Sequence, residues 1–297
     1  MPSVNASRHA CAPLMLGHPL PTDSTGLASR RAHPPIDWID SIGEWNIADG
    51  EVARQIEIRL LPGTCPYLVF PFRAAPASSR RFGDKALEQA YDVPVVTHIR
   101  SGYVAIRPHD ALGAIGVRLK PCAGIALLGD AGDACGDTKL DIALALPRTD
   151  TERLAARLAE APDALSRYRL VVDFLARLPL RRPIDPLAAE ACDRLGKEPS
   201  LRVSTLATAL SVSERTLARR FLAGTGMGIK RFARLARMET LFTSRRDGER
   251  WIDVAQEGGY FDQSHMIDDF TRTVGAPPAS VMTPPRDLDR PITLIRC

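Results

Sequence analysis

The sequence predicts an α+β protein: a small N-terminal β-barrel or sandwich, a helical connector, and an all-helical C-terminal domain with two helix-turn-helix units. Three observations predict it. Between Trp38 and Leu146, short apolar or alternating runs are bounded by Gly, Pro or Asp, as strands are. Near Thr149 the apolar period becomes helical, and from Leu187 onward the chain reads as helices with short turns. The length of 297 residues holds one large or two ordinary domains.

Composition sets the class. Hydrophobic residues make up 45% and charged residues 25%. These are ordinary globular values and exclude a chain disordered throughout, a collagen-like chain or a low-complexity one. No run of about 18 apolar residues is present, so no membrane contact is expected. The apolar stretch at 11–17 is too short for a signal peptide. The expected location is cytoplasmic.

Residues 1–35, rich in Pro, Ser, Ala and Arg and without periodicity, are expected to be a mobile leader. Residues 36–148 are expected to be a β domain used for sensing or oligomerisation. Its strand candidates are Gln55–Leu60, which alternates polar and apolar, then Tyr67–Phe70, Val95–Ile99, Tyr103–Ile106 and Gly113–Leu119. Residues 149–180 form the connector. Leu154, Leu158, Leu165, Tyr168, Val172, Leu175 and Leu178 fall at helical spacing, broken at Pro162-Asp163. Residues 181–186 read as a linker, 185–285 as the helical domain and 286–297 as a tail.

Within the helical domain, Val203–Leu210 is a short amphipathic helix. Ser211-Val212-Ser213 is a turn in which either serine can cap the next helix. From Glu214 a second helix turns Leu217 and Phe221 inward and leaves Arg215, Thr216, Arg219 and Arg220 outward. Thr225-Gly226 ends it. This is the layout of a helix-turn-helix, whose second helix enters the major groove. An ordinary helix pair with a charged face has the same pattern. A long helix follows, with Ile229, Phe232, Leu235, Met238, Leu241 and Phe242 as its apolar stripe. The layout then repeats: a helix at Ile252–Glu257, a Gly258-Gly259 turn, Asp262 as cap, and a helix with Met266, Phe270 and Val274 on one face. Gly275 closes it, and Pro277-Pro278 opens a last short helix.

The net charge is +4, but Leu201–Arg250 alone holds eleven Lys/Arg against four acids. A basic block in a near-neutral chain suits a polyanion, and a solvated helix face would look the same. Six cysteines and six histidines are dispersed, so neither a metal site nor a cofactor is expected.

Gly258-Gly259-Tyr260-Phe261-Asp262-Gln263-Ser264-His265-Met266-Ile267-Asp268-Asp269-Phe270, followed by Gly275-Ala276-Pro277-Pro278, resembles the signature of AraC/XylS-type transcription regulators. Ser211 to Phe221, followed by Thr225-Gly226, resembles the first helix-turn-helix of that family. The resemblance covers about 185–285. It implies a seven-helix domain whose two recognition helices enter successive major-groove segments on one face of double-stranded DNA. By position it offers Arg215, Ala218 and Arg219 to the bases, with Thr216 and Arg220 nearer the phosphates. The second helix offers Gln263, Ser264, His265 and Ile267. Asp268 stands where many relatives carry a basic residue. An acid there repels phosphate but can accept from cytosine N4.

Residues 60–70 and 113–121 resemble the sensor-like β domain of one subgroup, often a cupin-like barrel that binds a small effector or dimerises. His98, Tyr103, His109 and Arg118 lie near strands and are the candidates to line an effector pocket; ordinary surface or satisfied core groups would sit there equally well. The resemblance implies a transcription regulator, with a homodimer and, for an activator, RNA polymerase as further partners. A constitutive regulator whose β domain only dimerises stays open. Some relatives fuse this domain to a cysteine methyl-acceptor or base-repair enzyme. Cys65 and Cys122 stand beside prolines without an adjacent His, and no Ser-His-Asp set, phosphate loop or paired-carboxylate motif stands out. The expectation is therefore not an enzyme.

Overall fold

The computed structural model describes residues 28–32, 34, 36–73, 76–81, 87–90, 94–97, 103–129, 139–141, 146, 148–244, 250–282 and 292–296. Its N-terminal part holds two sheets. The first is antiparallel throughout, in the order β1 (Ala28–Ala32), β2 (Ile39–Ile47), β9 (Leu112–Leu119), β4 (Tyr67–Arg73), β7 (Val95–Thr97) and β10 (Lys139–Asp141). The second runs β11 (Ile292–Arg296), β3 (Glu57–Leu61), β8 (Val104–Pro108), β5 (Pro76–Arg81) and β6 (Leu87–Ala90). Among the described residues neither sheet closes into a barrel, so of the two expected architectures the sandwich fits. Ile47 on the first sheet joins Ile58 and Ile106 on the second in one buried cluster, with Ala53 from the short helix α1 (Gly50–Arg54).

The period of two is visible in β9, where Ile115, Val117 and Leu119 are buried while Ala114 and Arg118 are partly exposed. Those three residues pack with Leu68 and Phe70 of β4 beneath three helices: α2 (Ala123–Leu128), α3 (Arg148–Glu160) and α4 (Ala164–Leu175). Asp163 caps α4 by accepting from the Ser166 amide, which explains the break at Pro162-Asp163. The expected connector is thus built into the β part. Leu154, Leu158, Tyr168, Val171 and Leu175 are buried against the first sheet. Arg167 forks onto Glu44 of β2 at 3.0 and 2.8 Å and lies 4.3 Å over the Phe72 ring.

Three elements lie outside the expected series. Ala28–Ala32, inside the span expected as a leader, pairs with β2. Ile292–Arg296, inside the span expected as a tail, adds to β3 in parallel and so covers the open edge of that strand. α2 was absent from the expected strand series. Ala123–Leu128 is six residues of purely apolar and glycine sequence, buried on every side, and so short a run shows no period that separates helix from strand.

The C-terminal part has seven helices among the described residues: α5 (Pro186–Lys197), α6 (Val203–Ala209), α7 (Glu214–Thr225), α8 (Ile229–Ser244), α9 (Trp251–Glu257), α10 (Gln263–Val274) and α11 (Pro278–Met282). α5 starts where Asp185 accepts from the amides of Leu187 and Ala188, with Pro186 in the first turn. Two cores hang on α8. Phe232 and Leu235 join Leu206, Leu217 and Phe221, while Met238 and Leu241 join Val254, Met266 and Phe270. The stripe is therefore core, as its spacing implied; the Phe242 side chain lies outside the described residues. No helix among the described residues is long and apolar enough to cross a membrane.

Candidate nucleic-acid interface

The two helix-turn-helix units are built alike. In the first, the Leu210 amide donates to the Leu206 carbonyl (3.0 Å) and the Val212 amide to the Ala207 carbonyl (3.1 Å). Ser211 between them takes φ 55°. In the second, Gly258 donates to Val254 (3.0 Å), Tyr260 donates to Ala255 (2.9 Å), and Gly259 takes φ 70°. Each recognition helix is then capped at both ends. Ser213 accepts from the Thr216 amide and Asp262 from the His265 amide, so of the two candidate serines Ser213 is the cap. Gly226 (φ 72°) and Gly275 (φ 91°) close the helices in the left-handed region, where a side chain costs about 1–2 kcal/mol.

In α7 the inward face is Leu217, Phe221 and Thr225. Arg215, Ala218 and Arg219 are exposed, as offered to the bases, and Thr216 is partly exposed beside Ser213. Arg220 sits differently. Its Nε and Nη2 reach Asp185 at 2.7 and 2.5 Å, tying α7 to the cap of α5. Hydrogen bonding from Arg220 holds the Asp185 carboxyl below its ordinary value, so the pair is charged at neutral pH. This guanidinium binds a carboxylate of its own chain, and nothing in its sequence position signalled that.

In α10, Ser264, His265 and Asp268 are exposed and Gln263 is partly so. The His265 ring stands edge-on to Tyr260 at 5.4 Å. Ile267 is only partly exposed because it packs against the core of this unit. Asp269, absent from the expected site, ties the unit together: the Tyr260 hydroxyl donates to it at 2.9 Å and Arg234 of α8 pairs with it at 3.2 Å. The exposed faces of the two helices therefore differ in sign, basic at Arg215 and Arg219 on α7 and acidic at Asp268 on α10.

Of the four candidate effector residues, the three described ones do not come together. His98 lies outside the described residues. His109 is exposed between β8 and β9, its carbonyl accepting from Arg54. Tyr103 packs against the core of the second unit, and its amide donates to the Val274 carbonyl at the end of α10 (3.1 Å). Arg118 pairs with Glu239 of α8 (3.1 Å) and Asp40 (3.5 Å). Tyr103 and Arg118 thus belong to the contact between the β part and the helical part rather than to a strand-lined pocket, because both face helices that sequence spacing cannot bring near them. Arg59 of β3 extends this contact. It is 3% exposed and donates to the carbonyls of Ser280 and Val281 in α11 at 2.8 and 2.5 Å, while Glu57 accepts from it at 2.7 Å.

The helix-turn-helix domain family matches residues 206–283. No curated protein matches the sequence. Among solved structures the chain is similar to ToxT from Vibrio cholerae, at 10% identity over 80% of this chain and 96% of that one, with a TM-score of 0.45. It is also similar to the C-terminal domain of AraT, a response regulator from Geobacillus stearothermophilus, at 20% identity over 33% of this chain and 84% of that one, with a TM-score of 0.31. For the AraC-like transcriptional activator CuxR the values are 13%, 79%, 87% and 0.27. Residues 206–283, which hold both units, are therefore a helix-turn-helix domain.

Proposed function

We propose that this chain is a sequence-specific transcription regulator in which α7 supplies most of the affinity for double-stranded DNA and α10 adds a second, weaker contact. The observation that carries the reading is the pair of recognition helices, each with a side-chain cap at its start and a left-handed glycine at its end, joined by α8, with Arg215 and Arg219 exposed on the first. Arg can fork onto guanine O6 and N7 or bind phosphate, whereas Asp268 on the second repels the backbone. Control by a small effector is the finer part of the proposal. The β part touches the joining helix through Arg118 on α8, the second unit through Tyr103 at the end of α10, and α11 through Arg59. A ligand that binds one docked arrangement better than another shifts the population of DNA-competent geometry.

The test is selection of genomic fragments by the purified protein, beside the double variant Arg215→Ala/Arg219→Ala. A shared motif that the double variant loses supports the reading. Motif-free binding that the double variant retains overturns it. A thermal-shift screen then tests effector control, since a ligand specific to the folded state raises the Tm.

A further inference from the structure

Phe261 is 93% exposed, yet it sits one residue before the cap of a recognition helix. At that position an apolar side chain often staples onto the residue at the fourth helical position. Here that residue is Met266, which is fully buried, and Phe261 does not cover it. Tyr260 takes the inward place instead, 5% exposed and bonded to Asp269.

The comparison of the two turns isolates the residue further. The first turn runs Leu210, Ser211, Val212 and then the cap Ser213; the second runs Gly258, Gly259, Tyr260, Phe261 and then the cap Asp262. The backbone bonds match up to Val212 and Tyr260. Phe261 is the one residue the second turn adds. The insertion contributes nothing to the core and places a large apolar ring in water at the end of α10 that leads into a groove.

We infer that Phe261 is a specificity residue for DNA, packing its ring on the 5-methyl group of a thymine in the major groove beside Gln263 and Ser264. Thymine is the one base that offers an apolar group there. Such a contact suits α10, whose exposed Asp262 and Asp268 disfavour phosphate. The ring also explains how this helix contributes to recognition without basic residues in its first turn. The inference rests on the DNA-binding reading above.

The experiment uses the full chain and the operator recovered by fragment selection. Each thymine under the α10 half is replaced in turn by uracil, which lacks only the methyl group, and binding is measured for the parent, Phe261→Ala and Phe261→Leu. One thymine-to-uracil change is expected to weaken the parent about fourfold, the value of one buried methyl-sized group, to weaken Phe261→Leu less, and to leave Phe261→Ala unaffected. Phe261→Ala should keep the parent's Tm, since the ring is in water. Equal uracil effects in parent and Phe261→Ala, or none in either, overturn the inference while the operator still binds. Failure of the parent to bind any operator overturns the DNA-binding reading instead.

Discussion

Arg118 on β9 places a guanidinium nitrogen 3.1 Å from Glu239 in the middle of α8, and Thr64 donates to the other carboxylate oxygen at 2.6 Å. The helix that carries both recognition units is thereby fastened to the sheet through one acid. Removing Arg118 leaves Glu239 with part of its bonding in a mostly enclosed place. Arg118→Ala is expected to cost about 2 kcal/mol in urea unfolding, the scale of a hydrogen bond to a charged group. An unchanged midpoint would show that the pair holds nothing.

The same acid sets a pH dependence. Burial pushes the Glu239 carboxyl above its ordinary value of 4.5, against the pull of Arg118 and Thr64. The folded protein therefore holds this proton more tightly than the unfolded chain. Its contribution is fully present below pH 4.5 and is lost as pH rises through the raised value. Glu239→Gln, which stays neutral, should flatten the dependence of Tm on pH across that window. A slope identical to the parent's would assign it to other groups.

At the other end of the contact, Arg59 is buried and holds two carbonyls of α11 together with Glu57. Hydrogen bonds from Arg59 and Arg107 keep the Glu57 carboxyl below its ordinary value despite its burial. Arg59→Ala leaves Glu57 to Arg107 alone and strips both carbonyls of their donor, so a loss of about 1–3 kcal/mol is expected. Amide exchange should rise first in α11, where the bonds are lost; protection that falls uniformly would contradict a local anchor.

Two neighbouring arginines on α7 should separate cleanly. Arg219→Ala is expected to leave stability unchanged and to weaken operator binding. If it contacts phosphate, the salt slope falls by about 0.9; if it reads guanine, the loss is confined to one operator position. Arg220→Ala breaks the ion pair with Asp185 and is expected to lower the Tm while changing the salt slope little. Interchanged outcomes would reassign the two roles.

Cys122 and Cys192 lie 4.0 Å apart between the β part and α5, and both are buried. The hydrogen bond with Cys122, then burial, raises the Cys192 thiol, and burial pushes the Cys65 thiol up to about 12. All three are buried and should resist alkylation at pH 8 in the folded protein and react together in urea, where the reagent reaches each sulfur. Rapid labelling of the native protein would show that these positions open.

Much of the helical part was legible in the sequence because its determinants are local. Apolar spacing places α8 and its stripe, Asp262 and Gly275 are a cap and a stop that act within one turn, and two units in series can be read from 211–226 and 258–275. What the sequence left undecided between Ser211 and Ser213 was a matter of one backbone angle. The β part was legible as strands but not as a site, because strands that pair in space, such as β2 with β9 or β3 with Ile292–Arg296, are distant along the chain. By itself the sequence determined that this chain carries two capped recognition helices, since helices form from residues three and four apart. Only the tertiary structure decided that Arg220 is held by Asp185, that Arg118 and Tyr103 join the sheet to the helices, and that Phe261 is left in water, since each depends on which surfaces meet across long stretches of chain.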